Sequence, residues 1–124
     1  MSGSSTRAKG IQGEEIACVH LTREGFRILQ KNFHARRGEI DIIAMEKNTL
    51  VFVEVKYATG TSFGDPLEWV PARKQARIIQ ASQVFVKKNN LNSAQMRFDV
   101  VAIGPDRGIY HVRDAFRPGD TFSV

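Results

Sequence analysis

Leu50-Val51-Phe52-Val53-Glu54-Val55-Lys56-Tyr57 is nearly continuous apolar sequence, interrupted by two charges of opposite sign. Runs of this kind mark strands covered on both faces. Side chains alternate along a strand, so Phe52, Glu54 and Lys56 share one face and Val51, Val53 and Val55 the other. Just upstream, Glu39 to Met45 reads as another strand, in which Asp41 lies between Ile40 and Ile42. Glu46, Lys47 and Asn48 between the two are turn material, which makes the pair a hairpin. A two-residue Lys47-Asn48 loop sets Glu46 opposite Thr49 and therefore Asp41 directly opposite Glu54. A four-residue loop gives the same register, and a three-residue loop does not.

Two carboxylates opposed in a sheet repel. Charges among buried apolar groups are also expensive unless they are paired or metal-bound. Mg²⁺ or Mn²⁺ is the natural compensation, because a hard cation of this kind binds through one or two carboxylates plus water and substrate phosphate. Lys56 is expected to neutralise part of the pair. Asp41 and Glu54 as metal ligands, with Lys56 beside them, suit phosphodiester hydrolysis: the lysine can handle the attacking water or the charge developing on the phosphate. The plainer alternative makes Glu54 and Lys56 edge-strand charges that guard against aggregation, with Asp41 a surface residue near a turn. The apolar flanks argue against an edge.

Outward from this hairpin, Ile11 to Glu24 is periodic as a helix, stopped by Gly25. Phe26 to Phe33 is a first strand, and His34 to Gly38 a basic turn. Ala58 to Val70 carries Gly60, Gly64 and Pro66 and reads as a loop. Pro71 suits the first position of a helix running to Lys88 and ended by Asn89, Asn90 and Asn92. Arg97 to Ile103 is a fourth strand, and Ile109 to Val112 a short fifth. A right-handed crossover joins the third and fourth strands in parallel. The expectation is an α/β fold, αβββαβ, with a mixed sheet flanked by helices.

The 124 residues fit one domain, expected at 10–124 behind a flexible tail at 1–9. A 42% hydrophobic and 25% charged composition is that of a folded, globular chain. Cys18 is the only cysteine, so an intrachain disulfide and four-cysteine zinc sites are excluded. That is compatible with a cytoplasmic location. No run is apolar enough to span a membrane, and no secretory signal is seen. The net charge of +5 favours polyanionic partners, nucleic acid first.

Gly38-Glu39-Ile40-Asp41 followed by Val51-Phe52-Val53-Glu54-Val55-Lys56 resembles the D-(x)n-E-x-K signature of restriction-endonuclease-like nucleases. More closely, the chain resembles the YraN-like family of small bacterial proteins of uncharacterised function. The likeness extends to Gly13-Glu14, Arg73-Lys74-Gln75, Arg97-Phe98-Asp99-Val100-Val101 and His111 to Phe116, and covers roughly Gly10 to Phe116. It implies a restriction-endonuclease-like core, related to archaeal Holliday-junction resolvases and tRNA-splicing-endonuclease-like folds. In the resolvases an acidic residue of the first helix joins the Asp, Glu and Lys, and here Glu14 holds that position. Glu14 and Glu15 read equally well as favourable charges near a helix N-terminus. Many family members carry Thr-Arg after the lysine, where this chain has Tyr57-Ala58. That departure weakens a phosphate contact and leaves the metal ligands untouched.

Arg73, Lys74 and Arg77 crowd the start of the second long helix, where positive charge opposes the helix dipole. They read either as phosphate contacts or as a solvated helix face. By analogy with related nucleases, Gln75 contacts the scissile phosphate or holds a metal-bound water. Arg36 and Arg37 are expected on a nucleic-acid backbone or, more plainly, in an ordinary basic turn. Asp99 is expected in a structural ion pair with Arg97 or a helix arginine. His20, His34 and His111 have no zinc-type spacing.

The leading expectation is a Mg²⁺- or Mn²⁺-dependent nuclease. Its site is Glu14, Asp41, Glu54 and Lys56, and it acts on DNA, favoured over RNA, including branched or structured DNA. A homodimer follows only from the resolvase likeness. The rivals are a non-catalytic nucleic-acid-binding module of the same fold and an interaction or assembly protein.

Overall fold

The structure is a computed structural model that describes residues 2–57, 70–92, 94–106 and 108–119, with side chains from residue 12 onward. The elements are α1 (Ser2–Arg23), β1 (Arg27–Ala35), β2 (Gly38–Glu46), β3 (Thr49–Tyr57), α2 (Ala72–Lys88), β4 (Gln95–Ile103) and β5 (Ile109–Phe116). One five-stranded sheet has the order β1-β2-β3-β4-β5. Only β3 and β4 run parallel, and the remaining neighbours are antiparallel. A helix covers each face, which is the mixed α/β arrangement of a restriction-endonuclease-like core.

The expected ends of the helices hold for local reasons. Gly25 takes φ 94°, and Phe26 N–H closes α1 on Leu21 O at 2.9 Å. A left-handed glycine after the last turn satisfies carbonyls that the helix leaves unpaired. Asn90 does the same for α2, with φ 56° and Leu91 N–H on Val86 O at 2.8 Å. Pro71 caps α2 from one position further out than expected, and its carbonyl accepts the first helical bond from Gln75. Helix α1 spans Ser2–Arg23, so residues 2–9 of the segment expected as a tail are helical. No proline interrupts residues 2–10. The loop expected at 58–70 lies outside the described residues except for Val70.

The core is two layers on either side of the sheet. Ala17 and Leu21 of α1 pack with Ile42, Ala44, Val51, Val53 and Val101. Ile78, Ile79, Phe85 and Val86 of α2 pack with Phe52, Phe98 and Val100 on the opposite face. Strand β3 is therefore covered on both sides, as its composition requires. Among the described residues, no helix is long and apolar enough to cross a membrane.

Strand β5 runs to Phe116, well past the expected Val112. Asp114 hides this continuation in the sequence: it has φ 54°, and its N–H bonds the Asp99 side chain at 3.0 Å. The ladder register shifts between Phe98 and Val100, beside that bond.

Candidate active site

The β2–β3 hairpin has the two-residue loop, with Glu46 paired to Thr49 and Lys47 at φ 54°. Its ladder runs to Ile42–Val53, the pair before Asp41 and Glu54. Beyond that point Val55 gives its N–H to Asp41 Oδ2 at 2.8 Å, so a side chain serves as the acceptor there. The alternation of β2 breaks at the same place. Ile40 packs on the α2 face and Ile42 on the α1 face, although residues two apart in a regular strand share a face. The flanking pairs Lys31–Ile42 and Phe33–Ile40 put Asn32 opposite Asp41, and Asn32 itself has φ 52°. Both strands are thus irregular at the candidate carboxylate.

Glu54 is only 4% exposed. Asp41 lies beside it, and a hydrogen bond between the two carboxyls requires one of them to be protonated. Burial pushes the Asp41 carboxyl well above the usual carboxylate range, and the neighbouring Glu54 charge adds to this. The Val55 N–H and the Lys74 charge oppose the rise without cancelling it.

The cation on Glu54 is Lys74, from the first turn of α2, whose Nζ pairs with Glu54 Oε2. Lys56, expected to neutralise the pair, is exposed and makes no ion pair among the described residues. Sequence adjacency favoured Lys56. The docking of α2 over β3 brings in Lys74 instead, and the only sequence signal was its place in a basic first helical turn.

Glu14 is half-buried on α1 and feels the charge of Asp41. Burial raises its carboxyl, while a 3.3 Å bond from Asn32 Nδ2 lowers it and holds the side chain. Gly13 brings α1 this close: a Cβ there would stand 2.6 Å from Tyr57 Cε2. Among the described residues, no three Asp, Glu, His or Cys side chains form a metal-holding group.

Five of the six expected nucleic-acid contacts converge. Arg36 and Arg37 form the tip of the β1–β2 hairpin, between Ala35 and Gly38. With Arg73, Lys74 and Arg77 they line one cleft of about 920 Å³. Gly38 makes this possible, because a side chain at that position would strike the main chain of Arg77. The sixth, Gln75, is 5% exposed and gives Nε2 to Val70 O at 2.8 Å, anchoring the chain that enters α2.

A second polar cluster lies across the sheet. Fully buried Asp99 accepts Arg97 Nε at 2.8 Å and Nη2 at 2.9 Å, as expected. It also meets His111 Nε2 at 2.8 Å, and His111 Nδ1 is 3.0 Å from His20 Nε2. Arg97 and Arg113 share Glu46. Among the described residues no helix arginine takes part. The sequence shows no zinc-type spacing among the histidines and could not join His20 to His111, since 91 residues separate them.

Fold and site together define a mixed-sheet α/β protein of restriction-endonuclease-like architecture with a buried acidic pair beside a basic cleft. The chain belongs to the uncharacterised protein family UPF0102, whose family model matches residues 13–103. A UPF0102 protein of Nitrosococcus oceani is 40% identical over 121 residues, covering 94% of this chain and 98% of the relative. One of Caldanaerobacter subterraneus is 38% identical, covering 94% of this chain and all of the relative. Another, of Rhodococcus opacus, is 43% identical, covering 88% of this chain and 96% of the relative.

Proposed function

We propose that the protein is a metal-dependent phosphodiesterase acting on nucleic acid, with DNA as the first substrate to test. One observation carries the reading: the buried Asp41–Glu54 pair is joined through Lys74 to a cleft lined by four arginines. Buried acids next to a surface selected for anions are the two halves that phosphodiester hydrolysis needs.

The donor set fits Mg²⁺ or Mn²⁺. Two adjacent oxygen donors, of which one must give up its proton to bind metal, match a cation that keeps most of its waters. When bound, such an ion polarises the phosphoryl oxygen and makes water a stronger nucleophile. The chain's own residues do the remainder. Val55 N–H fixes the Asp41 carboxyl. Arg36, Arg37, Arg73 and Arg77 hold flanking phosphates without reading bases. Lys56 is exposed at the end of β3, where it can meet a phosphate or the attacking water. Glu14 feels the charge of Asp41 and is held by Asn32, the residue opposite Asp41 on the neighbouring strand.

The test is cleavage of labelled branched, nicked and single-stranded DNA, and of RNA, with Mg²⁺ or Mn²⁺. Turnover that disappears in Asp41→Asn and Glu54→Gln supports the reading. Binding that survives EDTA, with no cleavage of any substrate, selects the non-catalytic binding module. That second reading is favoured by one observation, the lack of a third convergent metal-ligating side chain among the described residues.

A further inference from the structure

Lys74 belongs to both halves of the site. It lines the basic cleft, yet its Nζ pairs with a carboxylate that is only 4% exposed. The lysine side chain itself is 52% exposed. Glu54 needs a positive partner, because an uncompensated buried carboxylate is strongly unfavourable. Either an ammonium or a divalent cation meets that need, but both cannot hold the same Oε2, since like charges repel at such range. A lysine is suited to give way: four flexible carbons and a point charge let it swing to another anion without losing a fixed geometry. The nearest region built for anions is the cleft it already lines, beside Arg73 and Arg77.

We infer that Lys74 is a positioning residue that competes with a divalent cation for Glu54, so that cation binding transfers its ammonium to a phosphate in the adjoining cleft. The inference rests on the metal-dependent reading above. It couples the two ligands: cation binding strengthens the grip on nucleic acid, and by reciprocity nucleic acid strengthens cation binding.

The experiment compares EDTA-treated wild type, Lys74→Met and Lys74→Arg, each checked for a cooperative thermal transition. Calorimetry with Mn²⁺ alone is the first readout. Removing the competing charge is expected to tighten Mn²⁺ binding by about tenfold in Lys74→Met, while Lys74→Arg stays near wild type. The second readout is anisotropy of a short fluorescent DNA duplex with and without Ca²⁺, used to limit hydrolysis. Ca²⁺ is expected to raise duplex affinity in wild type, and Lys74→Met is expected to lose that increment. Should Lys74→Met fail to fold, Lys74→Gln, which keeps a donor for Glu54, takes its place. Equal or weaker Mn²⁺ binding in the neutral variant overturns the role of Lys74 and leaves the metal site standing. Absence of Mn²⁺ binding from all variants overturns both. Binding seen only in the neutral variant supports the competition directly.

Discussion

Val55 donates its main-chain N–H to Asp41 Oδ2 at 2.8 Å, immediately beyond the last regular β2–β3 pair. The same carboxyl that is the first candidate ligand also completes the hydrogen bonding of a central strand. Two substitutions separate these duties. Asp41→Asn keeps an oxygen that can accept from Val55 and an N–H that can stand in for the protonated carboxyl beside Glu54. It is expected to leave stability within about 1 kcal/mol of wild type or to raise it. Asp41→Ala also removes the acceptor and is expected to lose about 1–3 kcal/mol. Urea unfolding of both variants checks this, and equal stabilities would mean that the Val55 bond contributes nothing.

The Asp99 cluster governs acid stability. Burial alone raises a carboxyl, but the bonds from His111, Arg97 and the Asp114 N–H outweigh it and hold Asp99 below its usual range. A depressed folded pKa gives stability that is present above the unfolded value of about 4 and is lost as pH falls through the folded one. Wild type is therefore expected to lose stability relative to Asp99→Asn as pH drops below about 4, narrowing a gap on the order of 3 kcal/mol at neutral pH. Denaturation midpoints across the acid range measure it. A gap that widens on acidification would refute the assignment.

Two glycines sit against neighbours of different stiffness. A side chain at Gly38 meets the main chain of Arg77, whereas one at Gly13 meets the ring of Tyr57. A ring can turn aside and a helix backbone cannot without moving the helix. Gly38→Ala is expected to cost about 1–3 kcal/mol and to weaken nucleic-acid binding, because it shifts α2 against the hairpin tip. Gly13→Ala is expected to cost less. Reversal of that order in thermal melts would count against the packing described.

The arginines of the cleft act through phosphate contacts that carry no base information. Replacing Arg37, Arg73 or Arg77 by Ala is expected to lower affinity alike for unrelated sequences and to reduce the slope of log affinity against log salt by about 1 each. Titrations at several salt concentrations provide the check. An unchanged slope in all three variants would remove the cleft from the binding surface.

Much of the hairpin was legible beforehand because it is a local matter. The two-residue loop fixes the register from Glu46–Thr49 to Ile42–Val53, and Asp41 comes to lie beside Glu54 just past that ladder, where the alternation of β2 breaks. The unequal fates of Lys56 and Lys74 were not legible. Lys56 is two residues from Glu54 and lies exposed, while Lys74 is twenty residues away and pairs with it. Gln75 resembled a phosphate contact and became an anchor for Val70, because burial decides what an amide can reach.

By itself the sequence determined which segments form helices and strands, the order αβββαβ and the register at the turn end of one hairpin, since each depends on neighbours within a few residues. The tertiary structure alone decided the rest: which cation neutralises Glu54, how Gly38 lets the hairpin tip close on α2, and how His20 reaches His111. Those contacts join segments far apart in the chain. Their partners are chosen by the packing of helices on the sheet, which the spacing of residues along the chain does not encode.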